Sequence, residues 1–367
     1  MDQNAYRKLV SGESTGPGAA LLRFLLAIGA TIYGLIIGLR NFLYSKEWLK
    51  IHKADVPVIS IGNITTGGTG KTPLVIRLCN LLISIPQFKL TSSQCAILTR
   101  GYKAAKHSGC KSGGYGDEPA VLAQGCPGIQ VVVNPDRIAG AAEAISRFGA
   151  KVLIMDDGFQ HRRLCRDLDI VSIDATIPFG YGRLLPAGLL REPVTALKRA
   201  DAAVITRCAQ VCEAELTQLE AKLGQVNPEM VIARSVHAPV CAKSVDDREI
   251  SLEELKNKRI FAFCGIGNPD AFFNTVVGLG AELAGSKVFD DHYHYSDDCI
   301  ADIYEQAKGQ DADLILTTQK DWSSFSSSAM TNASMDINFA YLAIEFRFIS
   351  GEDKITQLII NTLSVRI

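Results

Sequence analysis

An excess of charge of either sign is what this chain lacks. Its 367 residues carry 38 Lys+Arg against 39 Asp+Glu, a formal net charge of −1. That balance gives no support for nucleic acid as the main partner. Cysteine is present ten times, but no CxxC pair occurs, the closest spacing being Cys208 and Cys212. A zinc knuckle and a disulfide framework are both disfavoured, and the pattern reads as reduced cytosolic thiols. There is no internal repeat of solenoid period and no low-complexity tract beyond a serine cluster at Ser323 to Ser328. A long apolar run is missing too. Residues 24–39 are sixteen residues without charge, short of the about 20 needed to span a bilayer comfortably.

That run is nonetheless flanked by Arg7, Lys8 and Arg23 before it and by Arg40, Lys46, Lys50 and Lys53 after it. The segment that follows, Asn41 to Lys46, is a poor cleavage site, which argues against a signal peptide. One reading is a buried core helix of the first domain. The preferred one is a helix lying in or dipping into the membrane surface, with Tyr33, Tyr44 and Trp48 near the headgroups. The polar residues 1–17 read as a mobile leader.

What is present begins at Val58. Val58, Ile59 and Ile61 read as a buried parallel strand, and a glycine-dense loop follows: Thr65, Thr66, Gly67, Gly68, Thr69, Gly70, then Lys71, Thr72 and Pro73. A helix-like run from Leu74 to Leu82 completes the unit. Strand, glycine loop, Lys-Thr and helix together make a phosphate-binding loop. Glycines let successive N–H groups face a phosphate, Lys71 neutralises the β/γ-phosphates and Thr72 offers a hydroxyl to Mg²⁺. The strict motif wants glycine where Thr65 stands. The reading is an NTP site that must face cytoplasmic ATP.

Downstream, β and α segments alternate. Strands are expected near 96–99, 130–133, 151–155, 168–174 and 202–206, and Asp136 is placed to cap a helix over 137–148. This alternation predicts a parallel, helix-covered α/β sheet. The strand at 151–155 ends in Asp156 and Asp157, where carboxylates would organise a metal, with at most one facing it because neighbours on a strand alternate. Residues 178–193 form a long Gly/Pro-punctuated loop of the kind rarely kept without function. Composition changes near Val231, and a second strand–turn–helix unit opens at 260–269. Its Gly265 and Gly267 lack the third glycine of a dinucleotide fingerprint, since Asp270 stands there. The expected division is a tail and membrane-associated helix at 1–44, a phosphate-loop kinase domain at 45–230 and a smaller C-terminal α/β domain at 231–367.

Read together, GNITTGGTGKTP, RGYK, GDEP, DDGFQHRRL, PFGYGRLLPAGLLREP, FCGIGNP, the DH of DDHYHY and TTQKD stand in one order. Over roughly residues 18–346, the chain resembles the tetraacyldisaccharide 4′-kinases, the lipid A 4′-kinases of Gram-negative bacteria. It departs from their pattern at Tyr181, where Asn is expected, and at Gln319, where Glu is expected.

The resemblance implies Mg²⁺-dependent transfer of the ATP γ-phosphoryl to the 4′-hydroxyl of a tetraacylated glucosamine disaccharide 1-phosphate. It places the protein at the cytoplasmic face of the inner membrane, and a monomer is expected. A positioned carboxylate should take the hydroxyl proton; the family puts that role on Asp117, assisted by His292 from the second domain. If both serve one proton transfer, the domains must close before chemistry. Glu118 joins Asp156, Asp157 and Thr72 as a candidate metal residue. Arg137, His161 and Glu192 are candidates for the acceptor, though a helix cap and salt bridges explain Glu118, Arg137 and His161 nearly as well. The alternative class is a membrane-associated, partner-positioning ATPase; those carry a lysine where Thr66 stands. A GTPase would show an Asn-Lys-x-Asp segment, and residues 318–321 are only a partial echo of it.

Overall fold

The computed structural model describes residues 3–101, 117–290, 293, 295–322 and 336–366. It divides into two units, one formed by Met1–Val236 with Phe348–Ile367 and the other by His237–Arg347.

The first unit starts with two helices, α1 (Gln3–Ser11) and α2 (Pro17–Ser45). The expected mobile leader is corrected by this finding: Leu9 and Val10 are buried. Tyr6 Oη also donates to the carbonyls of Pro186 and Gly188, each at 2.9 Å. Then come β1 (Val58–Gly62), α3 (Lys71–Ser84), β2 (Cys95–Thr99), α4 (Asp117–Gly125), β3 (Gln130–Val133), α5 (Arg137–Phe148) and β4 (Val152–Asp156). After them follow β5 (Leu168–Asp174), β6 (Ala202–Thr206), α6 (Glu213–Val226) and β7 (Val231–Ser244), whose first residues lie in this unit. The strands are ordered β7-β6-β5-β1-β4-β2-β3, each pair parallel.

Strands β1, β2, β4, β5 and β6 are buried at every residue. Their continuous apolar runs are what a sheet covered on both faces requires. One core cluster joins Ile64, Phe159, Val171, Ile205 and Leu223; another joins Val58, Leu98, Leu153 and Met155 with Ala141 and Ala144 of α5. As the sequence predicts, the Asp136 carboxylate caps α5, accepting the Ile138 N–H at 3.0 Å. Because β2 lies on the β4 side of β1 and β5 on the other, the crossovers from β1 to β2 and from β4 to β5 run in opposite directions. A crevice therefore opens at the carboxyl ends of β1, β4 and β5, the usual ligand position in such sheets.

The second unit holds β8 (Glu249–Ile250), α7 (Leu252–Leu255), β9 (Arg259–Cys264), α8 (Pro269–Gly278), β10 (Glu282–Val288), α9 (Asp297–Gly309), β11 (Leu314–Thr318) and α10 (Gln319–Trp322). With the first part of β12 (Asn338–Ser350), these make a parallel order β10-β9-β11-β12. Asp321, from the TTQKD segment, is 3% exposed. It accepts the Gly265 N–H and the Tyr295 hydroxyl, each at 3.0 Å, and Thr318 Oγ1 at 2.6 Å.

The closing helix, α11 (Glu352–Arg366), belongs with the first unit, not with the second as the expected division had it. Its Ile355, Ile359 and Leu363 are at most 1% exposed, Arg366 Nε lies 3.1 Å from the Asp167 carboxylate, and Glu352 pairs with Arg77 of α3. Ile359→Ala should therefore cost about 2–5 kcal/mol in the first unit. In hydrogen exchange, β5 amides should lose protection while those of β9 and β11 keep theirs.

Candidate active site

After β1 the chain turns through the glycine loop into α3. Gly67 (φ 104) and Gly70 (φ 80) adopt backbone that side chains resist. The loop's carbonyls are held from behind by three side chains at the ends of β5 and β6. Ser172 Oγ donates to Thr69 O at 2.6 Å and Thr206 Oγ1 donates to the same oxygen at 2.9 Å. Arg207 donates to Gly68 O at 2.8 Å and is itself paired with Asp174, both buried. Asn63 Nδ2 adds a bond to Thr69 Oγ1 at 3.0 Å. A trans peptide points its N–H opposite to its C=O, so fixing Thr69 O backward turns the Gly70 N–H outward. The N-terminus of α3 adds its partial positive charge there.

Lys71 opens α3, followed by Thr72. Its Nζ lies 3.0 Å from Asp157 Oδ1. Arg191 NH1 reaches the same carboxylate at 3.0 and 2.8 Å. Asp157 itself is in left-handed backbone, φ 52. Burial by itself would raise the Asp157 carboxyl; the Lys71 and Arg191 charges outweigh it and hold the group well below the ordinary carboxylate range.

Asp156 ends β4 and is 4% exposed. Its Oδ2 accepts Thr99 Oγ1 at 3.3 Å. The two carboxylates thus have different surroundings, though not by strand alternation, since β4 ends at Asp156 and Asp157 lies beyond it in left-handed backbone. Among the described residues no three His, Cys, Asp or Glu side chains come together as a metal cage. Mg²⁺ needs only one or two carboxylates beside substrate phosphates and water, and hard oxygen donors at Thr72 and Asp156 fit it.

The other expected residues are placed as follows. Thr65 bridges to Leu190, and Thr66 N–H donates to Leu189 O at 2.7 Å, so the phosphate loop is laced to the 178–193 loop. Arg137 is 4% exposed and braces the end of β4, donating to Asn134 O at 2.8 Å and to Asp156 O at 3.2 Å. The His161 Nδ1 is buried with no partner among the described residues. Burial and then the Arg137 charge push this imidazole below its usual value, which leaves it neutral at pH 7. Glu192 is placed otherwise than an acceptor contact requires. It is 0% exposed and closed in by Asn41 at 2.7 Å, Arg199 at 3.1 Å and Arg40 at 3.5 Å. Asp117 opens α4, but its side chain and that of Glu118 lie outside the described residues, as does His292.

Ser172, Thr206, Arg207 and the α2 side chain Asn41 were not singled out from sequence, and Tyr33, expected near the headgroups, instead donates to Arg191 O. The signal for the first three was position: Ser172 lies near the carboxyl end of β5, which pairs with β1, and Thr206 and Arg207 lie at the end of β6, the next strand out.

Fold and loop together define a phosphate-loop α/β protein with an apolar N-terminal helix. The family model described as tetraacyldisaccharide-1-P 4'-kinase matches residues 22–364, and the chain belongs to that family. A tetraacyldisaccharide 4'-kinase of Syntrophus aciditrophicus is 41% identical over 318 residues, 81% of this chain and 83% of its own. One of Halothermothrix orenii is 35% identical, covering 92% of each chain. A crystal structure of LpxK from Aquifex aeolicus in complex with ATP superposes with TM-score 0.66 at 32% identity, covering 93% of this chain and 99% of that one.

Two outcomes follow from the geometry. Thr206→Val removes one of two donors to Thr69 O and should weaken nucleotide binding by about tenfold, read by calorimetry. Asp157 has a depressed carboxyl in the fold, so its contribution to stability is present above the ordinary carboxylate pKa near 4 and is lost as pH falls below it. The fall in Tm between pH 6 and pH 3 should accordingly be smaller in Asp157→Asn than in the parent.

Proposed function

We propose that this chain transfers the γ-phosphoryl of ATP to the 4′-hydroxyl of a tetraacylated glucosamine disaccharide 1-phosphate at a membrane surface. The observation that carries the reading is the family match over residues 22–364, in a chain whose glycine loop leads to Lys71 beside the Asp157 carboxylate that follows β4. The bond formed joins the sugar oxygen to Pγ, the bond broken joins Pγ to the β–γ bridging oxygen, and ADP leaves. Lys71 and the outward amides stabilise charge on the phosphoryl oxygens. For Lys71 to reach them it exchanges the Asp157 carboxylate for phosphate, and Arg191 keeps Asp157 neutralised meanwhile. Asp117 takes the hydroxyl proton, with His292 assisting, in the roles the family resemblance gives them. Thr72 and Asp156 would hold Mg²⁺, which supplies charge neutralisation on the phosphates when bound. The neutral His161 supports a hydrogen-bonding role toward the acceptor. The partner-positioning ATPase is not favoured, since the family match runs through both units and Thr66 stands where its lysine is needed.

The lipid acceptor and α2 fit each other. Leu21, Phe24, Leu25, Ile28, Ile32, Leu35, Ile36 and Leu39 are 46–70% exposed, on a helix of mean hydropathy 2.1 over its best window. At about 1 kcal/mol or more per half-exposed apolar side chain, transferring these eight to lipid is favourable by roughly 10 kcal/mol. The opposite stripe, from Gly29 to Tyr44, packs on loop 178–193 and Arg162. A helix engaged along one side by its own protein supports an in-plane seat over a full crossing. The cytoplasmic leaflet is the face that offers ATP.

Lys71→Ala should abolish phosphoryl transfer, a loss of at least 100-fold on the order expected for a transition-state cation. The assay incubates detergent-solubilised protein with ATP and the tetraacylated disaccharide 1-phosphate and looks for a phosphorylated glycolipid. Near-normal turnover by a folded Lys71→Ala protein would remove the assignment. Replacing Leu25, Ile32 and Leu39 by Ser should shift the protein from the membrane pellet to the supernatant without lowering Tm; a large Tm loss would mean that this face packs on protein.

A further inference from the structure

Residues 189–192 are held from two sides. Toward the phosphate loop, Thr66 N–H donates to Leu189 O and Arg191 N–H donates to Ile64 O, both at 2.7 Å. Toward the membrane helix, Tyr33 Oη donates to Arg191 O at 2.8 Å, and Asn41 Nδ2 donates to Glu192 Oε2 at 2.7 Å. The helix has little slack in this seat. A Cβ added at Gly29 would stand 3.2 Å from Pro186, and one at Gly34 would stand 2.9 Å from Leu184. Arg162 locks the far end, donating to Asn41 O at 2.9 Å with its guanidinium 5.2 Å from the Tyr44 ring centroid. From Arg191 the path continues through its guanidinium to Asp157 and from Asp157 to Lys71.

We propose that Tyr33 and Asn41 are positioning residues for the phosphate site, acting through Arg191 and Glu192, so that the seating of α2 governs how firmly Asp157 holds Lys71. The proposal rests on the reading that this loop binds ATP. Its physics is charge sharing. Two cations divide one carboxylate, and each lowers the field that the other feels. When the Arg191 backbone is released from Tyr33, its guanidinium leaves Asp157 more often. Asp157 then holds Lys71 alone and more tightly, and Lys71 is less available to a phosphate. The effect reaches the phosphate loop although Tyr33 and Asn41 bond to Arg191 and Glu192 and not to the loop itself.

The test uses the full chain in detergent micelles, without lipid acceptor, and measures ATP binding by calorimetry alongside Tm. Tyr33→Phe deletes a single hydroxyl and should weaken ATP binding about 3- to 10-fold, with Asn41→Ala acting in the same direction. In the Arg191→Ala background, Tyr33→Phe should have no further effect on ATP affinity, because the group through which it acts is gone. Tyr6→Phe, which loses a hydroxyl bond to the same loop at Pro186 and Gly188, should leave ATP affinity unchanged. An equal loss in parent and Arg191→Ala backgrounds overturns the proposal. So does a Tyr33→Phe protein with lowered Tm and unaltered ATP affinity. If the parent and Lys71→Ala bind ATP equally, the nucleotide reading itself falls, an outcome distinct from the other two.

Discussion

A loop that turns its amides toward an anion must do something with the carbonyls of the same peptides. That constraint organises the first unit. Thr69 O accepts two buried hydroxyl bonds and Gly68 O a half-buried one, and an unmet buried carbonyl costs about 1–3 kcal/mol. Ser172 and Thr206 supply hydroxyls to the first, and Arg207 supplies a guanidinium to the second. Arg207 is buried, and its own charge is met by Asp174 at the end of β5. The burial of β5 and β6 and their registers against β1 and each other thus serve the loop as much as the core.

Charge in front of the loop follows the same accounting. Lys71, Arg191 and Asp157 form a group of net charge +1, partly open to solvent, with side-chain exposures of 15%, 27% and 32%. A site with that surplus is ready for an anion before any arrives. Behind it the balance is struck differently. Glu192 is fully buried among Arg40, Arg199 and Asn41. Removing any one partner would leave the others poorly compensated in a low-dielectric setting.

The strands around the crevice were legible because burial on both faces writes itself as unbroken apolar runs: residues 58–61, 96–99, 152–155 and 202–206 all became strands. The glycine loop, the Asp136 cap and the strand-end pair Asp156 and Asp157 were legible from chemistry tied to local spacing. What was not legible depends on long-range geometry. Nothing local marks Ser172 or Thr206 as donors to a loop over a hundred residues away. Glu192 read as a polar loop residue facing a substrate, and it is 0% exposed because α2 covers it. The helix α6 and the long run of β7 to Ser244 went unread, the latter because residues 237–244 neither alternate nor stay apolar. Tyr181 is instructive in the other direction. It stands where Asn is expected, and its backbone is left-handed at φ 64, a conformation Asn adopts more readily than Tyr.

The return of α11 to the first unit gives biosynthesis a fixed order. The residues that seal β5 and meet Asp167 are translated only after the whole of the second unit. A nascent chain leaving the ribosome can complete the compact body at His237–Arg347 while its nucleotide-binding unit still lacks a wall. During that interval the apolar sheet surface that Ile355, Ile359 and Leu363 will cover is open to water. Chain termination between Arg347 and those residues would leave a finished second unit attached to a first one that cannot close.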